Sequence, residues 1–232
     1  MSSKGTFSRR SLLKGAAVGS GALLLGKTAF GHPPDGPSTA VRPYVVPSVP
    51  GVHIKPILTT GDAIGGYHMV GIPDGLGAIG CGPNFELFMN HEITSGAPGI
   101  VRAHGSAGAF VSKWTIDRST LKVLEGEDLT KSGNDIHQWN GTSYFTGTTL
   151  WQRLCSADLP DEKALRHGHL GTPERMFFNG EEITFGRAWA RIVTGPNAGQ
   201  AWELPRLGKM SFENVVACPH GKEQTIVAMF DD

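Results

Sequence analysis

The sequence predicts an all-β protein, and two features of the chain lead to that prediction. Short runs rich in β-branched and aromatic residues recur along its length, and clusters of Gly, Pro, Asn or Asp lie between many of them. The sequence contains no dinucleotide-binding glycine motif, phosphate-binding loop or serine-hydrolase elbow, which argues against an α/β fold. Many short strands joined by close turns favour a sandwich, a barrel or a propeller.

The length and composition allow a sizeable core. Of the 232 residues, 39% are hydrophobic, and the 32 glycines and 15 prolines show no collagen-like period. No apolar run is long enough to cross a bilayer as a mature helix. The composition is therefore typical of a turn-rich globular protein.

Residues 1–31 have the features of an export signal. Arg9 and Arg10 lie in the segment Ser-Arg-Arg-Ser-Leu-Leu-Lys, which precedes the apolar stretch 15–26, and residues 29–31 offer small side chains for cleavage. Paired arginines are typical of twin-arginine leaders, which export proteins already folded in the cytoplasm. We therefore expect the twin-arginine translocation machinery to deliver the protein to the periplasm or the medium. An ordinary secretory leader is the alternative.

Removal of this leader changes the charge of the chain. The whole sequence has 21 basic and 21 acidic residues, and residues 1–31 hold five of the basic ones and none of the acidic ones. The remainder has 16 basic and 21 acidic residues, a formal charge of −5. This balance gives no support for nucleic-acid binding, which needs a basic face, and it is compatible with binding cations.

The rest of the chain divides into an arm and a β domain. Residues 32–56 are rich in Pro, Gly and Ser and predict an extended arm. Residues 57–232 form the β domain, in which residues 156–166 are the one helix-like interval and Pro160 limits it to a turn or two. Strands are predicted at 67–72, 85–90, 109–116, 121–124, 143–145, 175–179, 187–193, 200–204 and 225–230. The sequence stops two residues after the last of these, which favours a truncated product.

Four strand ends share one pattern, in which an apolar anchor is followed within a few residues by one or two carboxylates. The segments are 88–92 (FMNHE), 177–182 (FFNGEE), 210–214 (MSFEN) and 229–232 (MFDD). Carboxylates that enter a dry interior from separate strands repel one another unless a cation lies among them. Oxygen ligands of this kind suit calcium, magnesium or ferric iron. Taken singly, each acid is also compatible with a solvated turn, and His91 with a hydrogen-bonded structural histidine.

The three cysteines, Cys81, Cys155 and Cys218, leave at least one thiol unpaired. A protein that folds in the reducing cytoplasm before export does not depend on disulfides. Cys155 is a candidate thiolate ligand, and the alternative is a small buried apolar residue.

Several segments together resemble the PhoX-type alkaline phosphatases. They are 67–78 (YHMVGIPDGLGA), 89–92 (MNHE), 101–105 (VRAHG), 108–114 (GAFVSKW), 154–160 (LCSADLP) and 204–214 (LPRLGKMSFEN). The resemblance covers most of the chain after the leader, and the leader agrees with it. It implies a six-bladed β-propeller, of which this chain would be the N-terminal half. It also implies a central iron–calcium cluster and hydrolysis of phosphate monoesters outside the cytoplasm.

The resemblance also implies a set of cluster ligands. These are Glu92, Glu182 or Glu181, Glu213, Asp231 or Asp232, and Cys155 as an iron ligand. The chain departs from the family pattern at Ala157 and Asp158, which stand where the family has two glycines after the Cys-Ser pair.

Two functions follow from these expectations. In the first, the protein is an exported metal-dependent phosphatase, in which Arg102 or Arg206 binds the phosphate and His104, or less favourably His137, acts as general acid. In the second, it is a non-catalytic, truncated periplasmic propeller fragment that binds calcium or a protein partner. A redox role is a weaker third hypothesis, because no haem or iron–sulfur spacing supports it.

Overall fold

A computed structural model describes residues 36–94, 99–219 and 222–232. The predicted leader, with Arg9 and Arg10, lies outside the described residues. Strands dominate the described part of the chain and almost all of them pair antiparallel, so the prediction of an all-β protein is confirmed. Within these residues no helix combines the length and apolar character needed to span a membrane.

The first part of the chain forms a short hairpin and a four-stranded sheet. Its strands are β1 (Ala63–Ile64), β2 (Tyr67–His68), β3 (Pro73–Cys81), β4 (Asn84–His91), β5 (Phe110–Asp117) and β6 (Val123–Asp128). β1 pairs with β2, and β3 to β6 form an antiparallel meander in chain order. Side chains alternate across this sheet, so Val111 faces one core while Trp114 and Ile116 face another.

The next part of the chain forms a second sheet, a single helical turn and a small hairpin. In chain order its elements are β7 (Ile136–Trp139), β8 (Tyr144–Thr146), β9 (Leu154–Asp158), α1 (Glu162–Leu165), β10 (Arg166–His167), β11 (Leu170–Gly171), β12 (Met176–Glu181), β13 (Gly186–Ile192), β14 (Ala201–Glu203) and β15 (Lys209–Met210). The sheet has the order β8-β7-β14-β13-β12-β9, with the β7–β14 pair parallel, and β15 pairs with β13. The helical turn α1 and the β10–β11 hairpin separate β9 from β12.

A third unit, the antiparallel hairpin of β16 (Phe212–Ala217) and β17 (Val227–Asp231), follows the second sheet. β9 lies between β3 on one side and β16 on the other. The approach is close, because a Cβ atom on Gly75 would lie 2.3 Å from the backbone nitrogen of Ala157. On the other side, the Ser156 hydroxyl donates to the Glu213 carbonyl. Three hairpins, β3–β4, β9–β12 and β16–β17, therefore stand side by side.

Apolar cores fill the spaces between these units. Phe88 of β4 and Phe177 of β12 pack in the core shared by the first and second sheets, together with the buried Trp151 and Trp189. Phe178, the next residue of β12, faces a second core against the β16–β17 hairpin. A third core covers the other face of the first sheet. β12 is thus buried on both faces, which fixes its register.

The described part of the arm, residues 36–56, contains no strand or helix. Ser38 anchors it to the first sheet by accepting a hydrogen bond from Val123 N at 2.8 Å. The Thr39 hydroxyl donates to that of Thr59 at 3.1 Å. Residues 44–55 of the arm are exposed.

Local predictions failed where pairing with a neighbouring strand overrides local preference. Of the strand predicted at 67–72, only β2 is a strand, and the turn-like Pro73-Asp74-Gly75 that follows begins β3. The helix-like interval 156–166, limited by Pro160 to a turn or two, contains the single helical turn α1, whereas its first residues belong to β9.

The packing of the second and third hairpins leads to a stability prediction. A methyl group at Gly180 would lie 2.3 Å from Cβ of Phe212, which is fully buried. We expect Gly180→Ala to lower the free energy of unfolding by about 1–3 kcal/mol, because the core must shift to accept the methyl group. Urea unfolding of the full chain measures this change.

Gly80→Ala is the matched control in β3. The nearest atoms to its added methyl group belong to the exposed Arg118 side chain, at 3.6 Å or more. We expect this change to be neutral or to stabilise the fold by up to about 1 kcal/mol. Equal destabilisation by the two substitutions would contradict the close packing of β12 against β16.

Candidate metal centre

The three adjacent hairpins repeat one structural device. Each contains a β-bulge that inserts a single extra residue into its first strand, close to the end where the second strand finishes. Bulges of this kind re-aim side chains and are common next to active sites. The paired residues that precede the three bulges are Pro73 with His91, Leu154 with Glu181, and Phe212 with Asp231.

Each of these six paired residues is followed in sequence by a residue whose side chain can bind a metal ion. On the first strands these residues are Asp74, Cys155 and Glu213, and after the second strands they are Glu92, Glu182 and Asp232. Because β3, β9 and β16 are neighbours, the repeated device brings side chains from three hairpins to one place. We call the group formed by Asp74, Glu92, Arg153, Cys155, Glu182 and Glu213 the acidic centre.

The ligand atoms of the acidic centre are close enough to share cations. Ligand atoms of Asp74, Glu92 and Cys155 lie within 4.8 Å of one another. Those of Cys155, Glu182 and Glu213 form a second group with the same spacing. Cys155, which is 2% exposed, belongs to both groups. It lies on β9 of the second hairpin, which contacts the first strands of the other two.

Arg153 supplies a positive charge inside this group. Its Nε donates to the Glu92 carboxylate at 2.9 Å, and its terminal nitrogens donate to the carboxylate and the backbone carbonyl of Glu182. Its backbone has a φ of 43°, in the left-handed region that a non-glycine residue seldom occupies. Such strained residues cluster at functional sites. The Arg153 side chain is 28% exposed, so it also reaches solvent.

Burial, together with the crowding of negative charge, raises the pKa values of groups in the acidic centre. Burial raises the pKa of Asp74, and the carboxylates of Glu92 and Glu182 raise it further. Burial also raises the pKa of Glu213, with contributions from the carboxylates of Glu182, Asp232, Asp74 and Glu92. The pKa of the Cys155 thiol is raised, first by burial and then by its hydrogen bond to Glu182, so the thiol is protonated at neutral pH.

Strand alternation separates the two members of each acidic pair. Glu181 points to the opposite face of β12 from Glu182, where its carboxylate accepts from Arg187 Nε at 2.7 Å and from Gln152 N at 3.1 Å. Asp231 accepts from Ser211 N at 3.0 Å, whereas Asp232 acts electrostatically on Glu213. The structure thus brings Glu182 into the acidic centre and leaves Glu181 outside it.

His91 is a structural residue of the first sheet. Nδ1 lies 2.8 Å from the Val70 carbonyl and Nε2 lies 2.8 Å from the Ser112 hydroxyl, while the ring stacks on Phe110 at 4.2 Å. Burial lowers its pKa to about 4, so it is neutral at physiological pH. It faces away from Glu92, its neighbour in sequence.

The predicted phosphate-binding arginines lie outside the acidic centre. Arg102 forms an ion pair with Asp128 at 3.1 Å, and its guanidinium covers the Phe110 ring at 3.6 Å. Arg206 is exposed in a one-turn 3-10 helix, where it lines an apolar cavity of about 870 Å³ together with Trp139 and Tyr144.

The predicted general acids also lie elsewhere. His104 is buried against Trp151, with ring centroids 4.6 Å apart, and burial lowers its pKa to about 4. His137 stacks on Trp202 at 3.7 Å, and burial lowers its pKa as well.

Two residues of the centre were missed by sequence reasoning. Asp74 was hidden by the turn-like composition of its neighbours. Its position in the strand pairing identifies it. Asp74 and Glu92 follow the two residues of one cross-strand pair, as Cys155 and Glu182 do in the next hairpin. Arg153 had no sequence signal, since its role follows from the backbone turn that precedes β9.

The donor set of the acidic centre fits the metals that the sequence resemblance implies. Four carboxylates, those of Asp74, Glu92, Glu182 and Glu213, match the oxygen ligands of calcium, and the single thiol matches the preference of iron for sulfur. A metal at Cys155 would release the thiol proton, and a cation beside Glu182 would take over part of the charge that Arg153 now balances.

Comparisons of the chain with protein-family models, with curated proteins and with solved structures return no match.

Charge repulsion in the centre leads to a prediction for the metal-free protein. In the presence of a chelator, we expect the double variant Asp74→Asn, Glu213→Gln to melt a few degrees above the wild type at neutral pH. The advantage should shrink as the pH falls toward the ordinary carboxyl pKa of about 4, because the wild type then holds protons on both groups and loses the repulsion. Thermal melting of both proteins at each pH measures the difference. Both proteins have the same histidines, so histidine titration does not contribute to that difference.

Glu125→Gln, on the exposed face of β6, is the control and should not change the melting temperature. Calcium should reverse the order, because it stabilises a protein that retains its carboxylates. A double variant no more stable than the wild type in chelator at neutral pH would show that the carboxylates do not repel one another.

Proposed function

We propose that this protein is an exported, metal-dependent phosphatase that hydrolyses phosphate monoesters at the acidic centre. The observation that carries the proposal is the repeated bulge, which gives three separate hairpins the same means of directing a carboxylate or thiol to one point. A solvated acidic surface requires no such repetition. The choice of phosphate monoesters rests on the sequence resemblance to the PhoX-type alkaline phosphatases.

A propeller is the architecture that best accommodates this arrangement. In the proposed fold, β3–β6 form one blade, β9 with β12–β14 form the next, and β16–β17 begin a third. The first strand of each blade would then line the central channel, in keeping with the contacts of β9 with both β3 and β16. The acidic centre would lie at the axis, where ligands from successive blades meet.

The proposed cofactors are iron and calcium. Asp74, Glu92, Glu182 and Glu213 would hold calcium through oxygen, and Cys155 would hold iron through sulfur. Bound metal ions would neutralise the phosphate oxygens and supply an activated oxygen nucleophile. The protein's own task is to hold these ligands at fixed positions against their mutual repulsion.

Arg153 is the phosphate-binding residue that the geometry favours over Arg102 and Arg206. It belongs to the centre, its guanidinium presents several N–H donors, and part of the side chain is open to solvent. An arginine in such a place can bind two phosphate oxygens at once when a metal relieves it of Glu92 and Glu182.

A second candidate function is calcium binding without catalysis. One observation favours it over catalysis, namely that Arg153 pairs with Glu92 and Glu182. An arginine engaged in this way does not bind a phosphate group. A protein of this kind would bind calcium and show no turnover.

Enzyme assays with the metal-loaded full chain distinguish these functions. We expect hydrolysis of p-nitrophenyl phosphate in the presence of iron and calcium, and we expect Glu92→Gln and Glu182→Gln each to lower the rate by roughly 100-fold or more, because each removes a ligand charge. Glu125→Gln is the matched control and should retain the wild-type rate. Isothermal titration with calcium, run on the same proteins, separates loss of metal from loss of chemistry.

Wild-type binding of calcium without turnover would favour the non-catalytic function. Equal rates for the wild type and the two ligand variants would remove the acidic centre from the reaction.

A further inference from the structure

A buried asparagine connects two of the hairpins that form the acidic centre. Asn90 lies on β4, two residues before Glu92, and is fully buried. Its side-chain amide donates to the Cys155 carbonyl at 2.6 Å and to the Ser156 carbonyl at 3.3 Å. Cys155 and Ser156 are the bulged residues of β9. A side chain of the first hairpin therefore binds the bulge of the second.

Other buried residues fix the orientation of Asn90. Asn179 of β12, also fully buried, donates from its amide to Asn90 Oδ1 at 2.8 Å. Arg191 of β13 donates from Nε to Asn179 Oδ1 at 3.4 Å. The chain of donors determines which end of the Asn90 amide faces β9, because Oδ1 is already engaged as an acceptor.

These contacts matter because of what a bulge does to its strand. The extra residue interrupts the regular hydrogen bonding of β9 with β12, and buried carbonyls left without a donor are costly. Asn90 donates to the carbonyls of both bulged residues, Cys155 and Ser156. A bulge held in this way keeps a fixed conformation, and Cys155 Sγ keeps its direction.

We propose that Asn90 is a positioning residue that sets the relation between Glu92 and Cys155, and that Asn179 orients it. Asn90 lies on β4 and Glu92 follows the end of that strand, whereas Cys155 belongs to another hairpin. The contact from Asn90 therefore links two ligands that no ladder pairing connects directly. The inference rests on the proposed function, because it assigns Asn90 a role in metal binding at the acidic centre.

Cobalt binding tests the proposal with a spectroscopic signature. Co²⁺ bound to a cysteine thiolate gives a charge-transfer absorption band, so a titration of the full chain with Co²⁺ reports whether Cys155 reaches the metal. Cys155→Ser identifies the band, since Cys81 and Cys218 remain in that variant. The test variants are Asn90→Ser and Asn179→Ser, and the control is Asn197→Ser, an exposed asparagine that donates to Glu174.

We expect Asn90→Ser to lose most of the band and to bind Co²⁺ roughly 10- to 100-fold more weakly, as removal of groups that orient metal ligands does elsewhere. Asn179→Ser leaves Asn90 in place and should weaken the band less. Asn197→Ser should match the wild type. Circular dichroism melts confirm that each variant is folded at the temperature of titration.

A folded Asn90→Ser protein with the wild-type band and affinity would overturn the proposal, since the asparagine would then contribute only to packing. If Asn90→Ser does not fold, Asn179→Ser decides, and an unchanged band in that variant also overturns it. Absence of the band from the wild type itself would instead count against the proposed metal centre, so the two failures are distinguishable.

Discussion

Repulsion among carboxylates is the main physical problem that this arrangement of hairpins has to solve. Asp74, Glu92, Glu182 and Glu213 converge from three hairpins on the thiol of Cys155. Burial raises the pKa values of Asp74 and Glu213, and the neighbouring carboxylates raise them further. Such an arrangement is unfavourable unless a positive charge lies among the acids. Arg153 supplies part of that charge through its ion pairs with Glu92 and Glu182. The remaining imbalance is the physical reason to expect cations at this point.

The fold meets this constraint with a repeated element rather than with a dedicated loop. Each hairpin has one bulge in its first strand and one carboxylate directly after its second strand. Because β9 contacts both β3 and β16, side chains from the three hairpins come close together. β12, which is buried on both faces, fixes the position of Glu182 at its end. The buried contact from Asn90 to the β9 bulge then fixes one hairpin against the next.

The sequence predicted the all-β class and several of the converging acids, because both follow from local patterns. Apolar runs that end in carboxylates pointed to Glu92, Glu213 and the pair Glu181 and Glu182. Cys155 was a candidate thiolate ligand from the unpaired cysteines, and the sequence resemblance made it an iron ligand. The choice between Glu181 and Glu182 required the register of β12, which sets the face each side chain occupies. Asp74 required the bulge of β3, and Arg153 required a backbone conformation that no composition reveals. Arg102 and His104 illustrate the opposite case, since their residue types suited phosphate chemistry but the fold uses them inside the core.

X-ray diffraction from crystals of the full chain grown with iron and calcium, recorded at the iron absorption edge, tests the metal centre most directly. The anomalous difference map should contain a peak within bonding distance of Cys155 Sγ and of a carboxylate oxygen from a neighbouring hairpin, with Arg153 turned away from Glu182. A map with no peak at the acidic centre, and with Arg153 still paired to Glu92 and Glu182, would contradict the convergence of these ligands on a metal.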